Sequence, residues 1–578
     1  MEVIDLEDRW NNEFNPEKIN DNKKEHVTKI PIRKFTGNGT RSLHESIIIG
    51  TIPKLVTLDI QGKPKFLDCI EFGASDVFIP KDTLYTQTPL PYTFKSEDEF
   101  KEYLVYAGKL DLDALFSLVE TECRKYVDVE GYYYTLLVGD TIWSYFQDIF
   151  PYTHYLIIVG DNDAGKNSAL LFYKYLGYRV FYVTSASAAN YYTALGDKEE
   201  GQVTIAEDEA DDMARDKDKR NTIKTGYCSG GTIPKVETEG GRKQSNWLTY
   251  CHKWFAMEEL PNDKNMKGIL DRSLVLKFVT GNPQYNIKEV IRTGADPEYE
   301  PLYEKLMEIR KILFCYRLLH REDQFLNVKL NVKNRTAELT KPLIRLFNKA
   351  PLTKQRILDD LSLFINERNQ NKKSTFEAKL YNVITELIKE RKDQIDKGML
   401  SDDEKRILGT HIFSNESIRY AFKEEMDGQD IPGKDTSFYS PEPGFGQVTQ
   451  TKITNVLKSK FKVDPPKVYR IGLQTLRCVE FKQKYLDKIK AYYDMPDKIQ
   501  ILENVTDVTN VTLPSRVNNN SEENLGYESK ENNECFVVNE HKILENNSQG
   551  SSDITEKPIP TLPETVTSVT SVTEKEIL

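Results

Sequence analysis

From Tyr155 to Gly177 the chain reads YLIIVGDNDAGKNSALLFYKYLG, an apolar run, a loop bracketed by glycines and a helix-favouring stretch. A short strand without a polar residue needs cover on both faces, which is the situation of an inner strand in a parallel sheet. The fold class is therefore α/β over this stretch. Gly160 and Gly165 permit a tight wrap between strand and helix. The first-turn N–H groups of the helix then point at one spot with the helix dipole behind them, which is an anion site. The spacing is G-x-x-x-x-G-K, so Gly160, Asp161, Asn162, Asp163, Ala164, Gly165, Lys166, Asn167 and Ser168 are expected to cradle phosphates, with Lys166 reaching the outer ones.

The usual pattern has Ser or Thr after the lysine, to hold Mg²⁺, and here the residue is Asn167. A carboxamide oxygen is a hard neutral ligand and can take that role on a longer arm. Ser168 is a poor substitute, because one helical step turns it by about 100°. A second element, GQVTIAEDEADDM, ends a β-rich run in a carboxylate cluster 42 residues beyond Lys166. Asp208 is expected to hold the metal and Glu209 to polarise an attacking water.

Taken in order, GDNDAGKN, IAEDEADDM, KWFAMEELPND and GILDRSLVLKF resemble AAA+ ATPases over about residues 125 to 300. The likeness is greatest to helicase-type members, superfamily III among them, in plasmid, phage and archaeal mobile-element replication proteins. It implies a three-layer P-loop core, ATP hydrolysis with Mg²⁺, and a homo-oligomeric ring such as a hexamer whose neighbours share active sites. It also implies that the strand WFAMEE touches the attacking water at its tip, with Glu258 where Asn is usual. Arg272 in LDRSL matches an arginine offered to the γ-phosphate of the adjacent subunit, a contribution of order 10³ or more in rate. GTIPKVETEGGRKQSNWLTY contains two β-like runs around Gly240-Gly241, a dipeptide suited to a hairpin turn. In helicase-type rings a hairpin at this place holds single-stranded DNA in the pore, a role for Arg242 and Lys243.

Around this core the chain divides by composition into a mobile arm (1–35), a small β plus helical region (36–125), the ATPase domain (126–300), a helical bundle (301–400), a C-terminal module (401–495) and an acidic tail (496–578) expected to be disordered. The net charge of −11 is concentrated in that tail: residues 501–578 carry 14 acidic and 5 basic side chains. Residues 451–490 reverse the sign, with 11 basic against 3 acidic. On a helical wheel QVTQTKITNVLKSKF puts Ile453, Val456, Leu457 and Phe461 on one face, with Thr451, Lys452, Asn455, Lys458 and Ser459 on the other. The strands KVYRI and RCVEF follow with Lys467, Arg470 and Arg477, and the whole resembles a winged helix that would engage duplex DNA.

The seven cysteines are scattered without a C-x-x-C pair and read as reduced thiols. No apolar run approaches the ~20 residues of a membrane span, and the N-terminus is acidic, so a cytoplasmic protein without a membrane partner is expected. The leading expectation is an ATP-dependent DNA motor. Its rivals are a nucleotide-binding DNA initiator that does not hydrolyse, and a protein-remodelling ATPase.

Overall fold

The computed structural model describes residues 28–504 except 37–42, 73–75, 197–198, 238–242, 262–264, 293–295, 324, 432–435, 442–444, 472–473, 494–495 and 497. Most of the expected arm and tail therefore lies outside the described residues.

Five parallel strands form the central sheet, in the order Val180–Thr184, Thr204–Asp208, Lys253–Met257, Tyr155–Val159, Ser273–Lys277. The apolar strand Tyr155–Val159 lies inside the sheet, as its composition requires. Its alternate residues serve two cores. Leu156 and Ile158 pack with Ala169, Leu170 and Phe172 of helix Lys166–Leu176, whereas Tyr155 and Ile157 meet Tyr191, Met213 and Ile223 on the other face. In sequence order the strands run second, third, fourth, first, fifth. The first strand thus carries a crevice outside its carboxyl end, where open α/β sheets take ligands.

The expected boundaries at 125 and 300 do not separate cores. Helices Glu97–Ala107, Leu112–Tyr126 and Gly131–Ser144 share one continuous core with the sheet and with helices Glu300–His320, Asn334–Leu346 and Pro351–Lys373. Nor does the arm extend to residue 35. Strand Thr28–Ile32 pairs in parallel with Asp76–Pro80, and Arg33 and Lys34 are buried because Asp82 (3.2 Å) and Asp148 (3.0 Å) meet their charges. The four helices expected between 301 and 400 are present, but they split. Phe376, Leu380, Val383 and Ile384 of the fourth, Phe376–Asp396, belong to a separate core with the C-terminal module.

That module holds helices Asn415–Glu425 and Gln450–Lys460 against an antiparallel sheet in the order Ile412–Ser414, Gln474–Glu480, Lys467–Ile471. Strands Gln429–Asp430, Ser437–Ser440 and Gly446–Thr449 form a second sheet between the two helices, which the sequence reading did not anticipate. The described chain continues past the expected tail boundary at 496: Ile499 is buried, and Ile501–Asn504 pairs with Val328–Leu330.

Candidate nucleotide-binding site

The loop after Tyr155–Val159 is held in one shape by its glycines. A Cβ on Gly160 would lie 2.6 Å from the Phe278 carbonyl oxygen and 2.9 Å from Ala164 Cβ, so the close approach admits only glycine. Gly165 caps helix Lys166–Leu176 at φ +81°, a conformation that side chains disfavour. Lys166 Nζ donates to the Gly160 and Asp161 carbonyls. A cleft of about 380 Å³ opens here, lined by Asn162 to Ser168 and also by Asn286 and Lys288. Those last two come from the start of the short helix Ile287–Val290 beyond the fifth strand, and no motif in NPQYNIKEV marks them. Only the folded chain brings them to the loop.

Asn167 Oδ1 is buried and has no hydrogen-bond partner. An orphaned neutral acceptor at the root of a phosphate loop suits a hard cation, so the residue that breaks the sequence pattern fits Mg²⁺ rather than opposing it.

Strand alternation sorts the carboxylates. Ala206 faces the core that contains the loop helix, and Asp208 shares its side of the strand; Glu207 points to the opposite face. There Glu207 meets Lys219 Nζ, the Tyr191 hydroxyl and the Ala186 N–H at 2.8 Å. Burial pushes its carboxyl up and Lys219 pulls it back, leaving a net rise. Asp208 is nearly buried and accepts the Glu209 N–H at 3.1 Å and the Tyr182 hydroxyl at 3.4 Å. Glu209 is exposed at φ +54°, a strained backbone of the kind that concentrates at functional turns. Exposed Glu258 follows strand Lys253–Met257, and its N–H donates to Asp211 at 3.1 Å, tying that strand tip to the acidic turn.

Arg272 lies at the other end of the sheet. Its carbonyl accepts the Tyr155 N–H at 2.9 Å, and five residues of strand, about 16 Å, separate that point from Gly160. Its Nη1 donates to the Gly268 carbonyl at 2.6 Å, and its guanidinium stands 5.0 Å from the Tyr227 ring. Arg272 cannot serve its own loop.

Strands Thr232–Glu237 and Lys243–Leu248 pair as the expected hairpin. The turn with Gly240, Gly241 and Arg242 lies outside the described residues, as does the Lys243 side chain. In the C-terminal module Thr451, Asn455 and Lys458 form an exposed helical stripe. Lys452 does not join it: its Nζ sits 4.8 Å from the Phe376 ring and donates to the Phe445 carbonyl at 3.4 Å, because a neighbouring helix outside the wheel's window covers that flank. Exposed Arg470 and Arg477 share a hairpin face, since their cross-strand partners are Thr475 and Val468. Lys467 lies on the opposite face, 3.9 Å from Glu480.

The sequence reading missed one further cluster, because its members are far apart in the chain. Buried Asp140 accepts from His154, from His252 at 2.7 Å and from Trp254 Nε1 at 2.6 Å. Both carboxylate oxygens already have donors, so this is a hydrogen-bonded anchor between helix and sheet.

No family model and no curated protein matches the chain. Solved structures similar to it include two A-form apo structures of the NrS-1 C-terminal region, each at 11% identity over 76% of this chain and 96% of that one, with TM-scores of 0.35 and 0.33. Another is a full-length MCM homolog from Methanopyrus kandleri, at 13% identity over 57% of this chain and 74% of that one, with a TM-score of 0.29. Among the described residues no helix is long and apolar enough to cross a membrane.

Proposed function

We propose that the chain is an ATP-dependent motor acting on DNA, a helicase-like AAA+ ATPase that works as a ring of identical subunits. The observation that carries this reading is the loop itself: Gly160 locked by close approach, Gly165 turning into a helix N-terminus, and the unpartnered Asn167 Oδ1, with Asp208 on the side of the sheet that packs the loop helix. In this reading the loop amides and Lys166 bind the phosphates of ATP. Asn167 and Asp208 would hold Mg²⁺, whose chemistry is to neutralise charge on the phosphates. Glu209 orients water and accepts its proton. Arg272 completes the site of a neighbouring copy, which accounts for its place at the far end of the sheet. The hairpin Thr232–Leu248 would contact single-stranded DNA through Arg242 and Lys243. The C-terminal module would act as a winged helix on duplex, using Thr451, Asn455 and Lys458 with Arg470 and Arg477.

Steady-state ATP hydrolysis with and without single-stranded DNA tests the reading, beside Lys166→Ala and Asn167→Ser. Turnover that rises with DNA and is lost in Lys166→Ala is the expected result. An inert protein that Asn167→Ser awakens would instead make the loop a nucleotide-binding switch, a reading favoured by one observation, the missing hydroxyl at position 167.

A further inference from the structure

The C-terminal module has a cleft of about 1000 Å³ between helices Phe376–Asp396 and Asn415–Glu425, closed by Gln474 and Leu476 of strand Gln474–Glu480. Val383, Leu387, Ala421 and Leu476 supply its apolar part. The rest is acidic. Glu386 and Glu390 stand one turn apart on the first helix, and Glu416 and Glu424 two turns apart on the second, with Glu425 beside them. Against these five glutamates the lining sets one cation, Arg419. Lys389 meets Glu386 at 3.1 Å, whereas Glu390, Glu416, Glu424 and Glu425 have no ion-pair partner among the described residues. Like charges a turn apart on a helix repel each other, so a cation entering the cleft relieves strain in both walls.

The hairpin that closes this cleft has a second face of opposite character. Leu476 and Arg477 are neighbours in the strand and point to opposite sides of it. On the outer side Val468 lies across from Arg477, and Arg470 lies across from Thr475. Val468 is 63% exposed, and neither arginine has an ion-pair partner among the described residues. An exposed branched side chain beside two guanidinium groups is the complement, in polarity and in charge, of an apolar floor between carboxylates. The two patches are back to back on one hairpin, so they cannot meet within a chain. A second copy presents the missing half, and complementary patches at different places on the same chain make a head-to-tail contact.

We infer that the outer face of this hairpin docks in the acidic cleft of the C-terminal module of a second copy of the chain. Val468 seats on the apolar floor, and Arg470 and Arg477 lie among the glutamates. The consequence for regulation rests on the ring and DNA readings above: the same two arginines are assigned to duplex DNA, so the neighbour's cleft and the duplex compete for them. A module without DNA is held by its neighbour, and duplex releases it. The contact is ionic and partly solvated, which makes it reversible and sensitive to salt.

Disulfide trapping in the full-length chain tests it. A Val468→Cys chain is mixed with a Tyr420→Cys chain and oxidised, beside native protein as the control for its exposed Cys69 and Cys228. Tyr420 lines the cleft and is 56% exposed, so neither substitution disturbs a core. Sedimentation velocity of the same samples before oxidation reports assembly. The mixture is expected to give a cross-linked dimer that neither variant gives alone. Adding Arg470→Glu and Arg477→Glu to the first chain should lower the yield about tenfold, and adding Glu390→Lys and Glu424→Lys to the second should then restore it. High salt and duplex DNA should each lower the yield. Assembled protein without the cross-link overturns the inference and leaves the ring reading standing; absence of both assembly and cross-link removes the ring reading as well. A cross-link that survives the first charge reversal, or that the swap does not restore, also overturns the inference. One that duplex DNA leaves unchanged overturns the competition.

Discussion

Arg317 Nη1 binds Asp148 Oδ1 at 2.9 Å across 169 residues of sequence, and both side chains are buried. Lys34 (3.0 Å) and Arg321 (3.1 Å) share the same carboxylate, while Arg317 also holds Glu45 at 2.8 Å and Arg179 joins Glu45 at 2.9 Å. One charge network therefore joins the N-terminal β region, the sheet and helix Glu300–His320. Removing one member leaves the others buried and uncompensated, so Asp148→Asn or Arg317→Met should each cost about 3–5 kcal/mol. Urea unfolding followed by circular dichroism measures it, and a change below 1 kcal/mol would disprove the role.

The same network sets an acid limit. Burial disfavours the charged form of Asp148, but Arg317, Lys34 and Arg321 prevail and hold its carboxyl well below the ordinary range. A carboxylate depressed in the folded state stabilises it above the unfolded value of about 3.9, and that contribution is lost as pH falls below it. Melting temperature should therefore drop below about pH 4 in the native chain, with a shallower fall in Asp148→Asn.

Gly160→Ala should destroy the phosphate loop. The obstructing atoms are the backbone oxygen of Phe278 and Ala164 Cβ, neither of which can swing aside, and overpacking of this kind costs about 1–3 kcal/mol. ATP-analogue binding should vanish. Lys166→Ala should lose turnover as well, but with stability within about 0.5 kcal/mol of native, since the side chain is half-exposed and only its ammonium bonds are removed.

On duplex DNA, Arg470→Ala and Arg477→Ala should each weaken binding and reduce the log–log salt slope by about 1. Lys452→Ala should leave the slope unchanged and lower stability, because its ammonium packs on Phe376. Fluorescence anisotropy across a salt series separates the two effects. Equal slopes for all three variants would rule out this face as the DNA contact.

The strand, loop and helix at 155–176, the hairpin pairing, the long helices after 300 and the exposed stripe at 451–458 were legible in the sequence, because each depends on periodicity or on glycine and lysine at fixed local spacing. Tertiary structure decided the rest. Whether Asp208 or Glu207 faces the loop helix follows from which side of the sheet that helix covers, and Lys452 is lost to the exposed stripe because Phe376, on a helix that starts 76 residues earlier, lies beside it. Asn286 and Lys288 reach the cleft, and Arg368 reaches Asp271, only through packing of segments that carry no motif. Local pattern states what a segment can be; which charges meet, and which atom is left unpartnered, is settled when distant segments are brought into van der Waals contact and their desolvation has to be compensated.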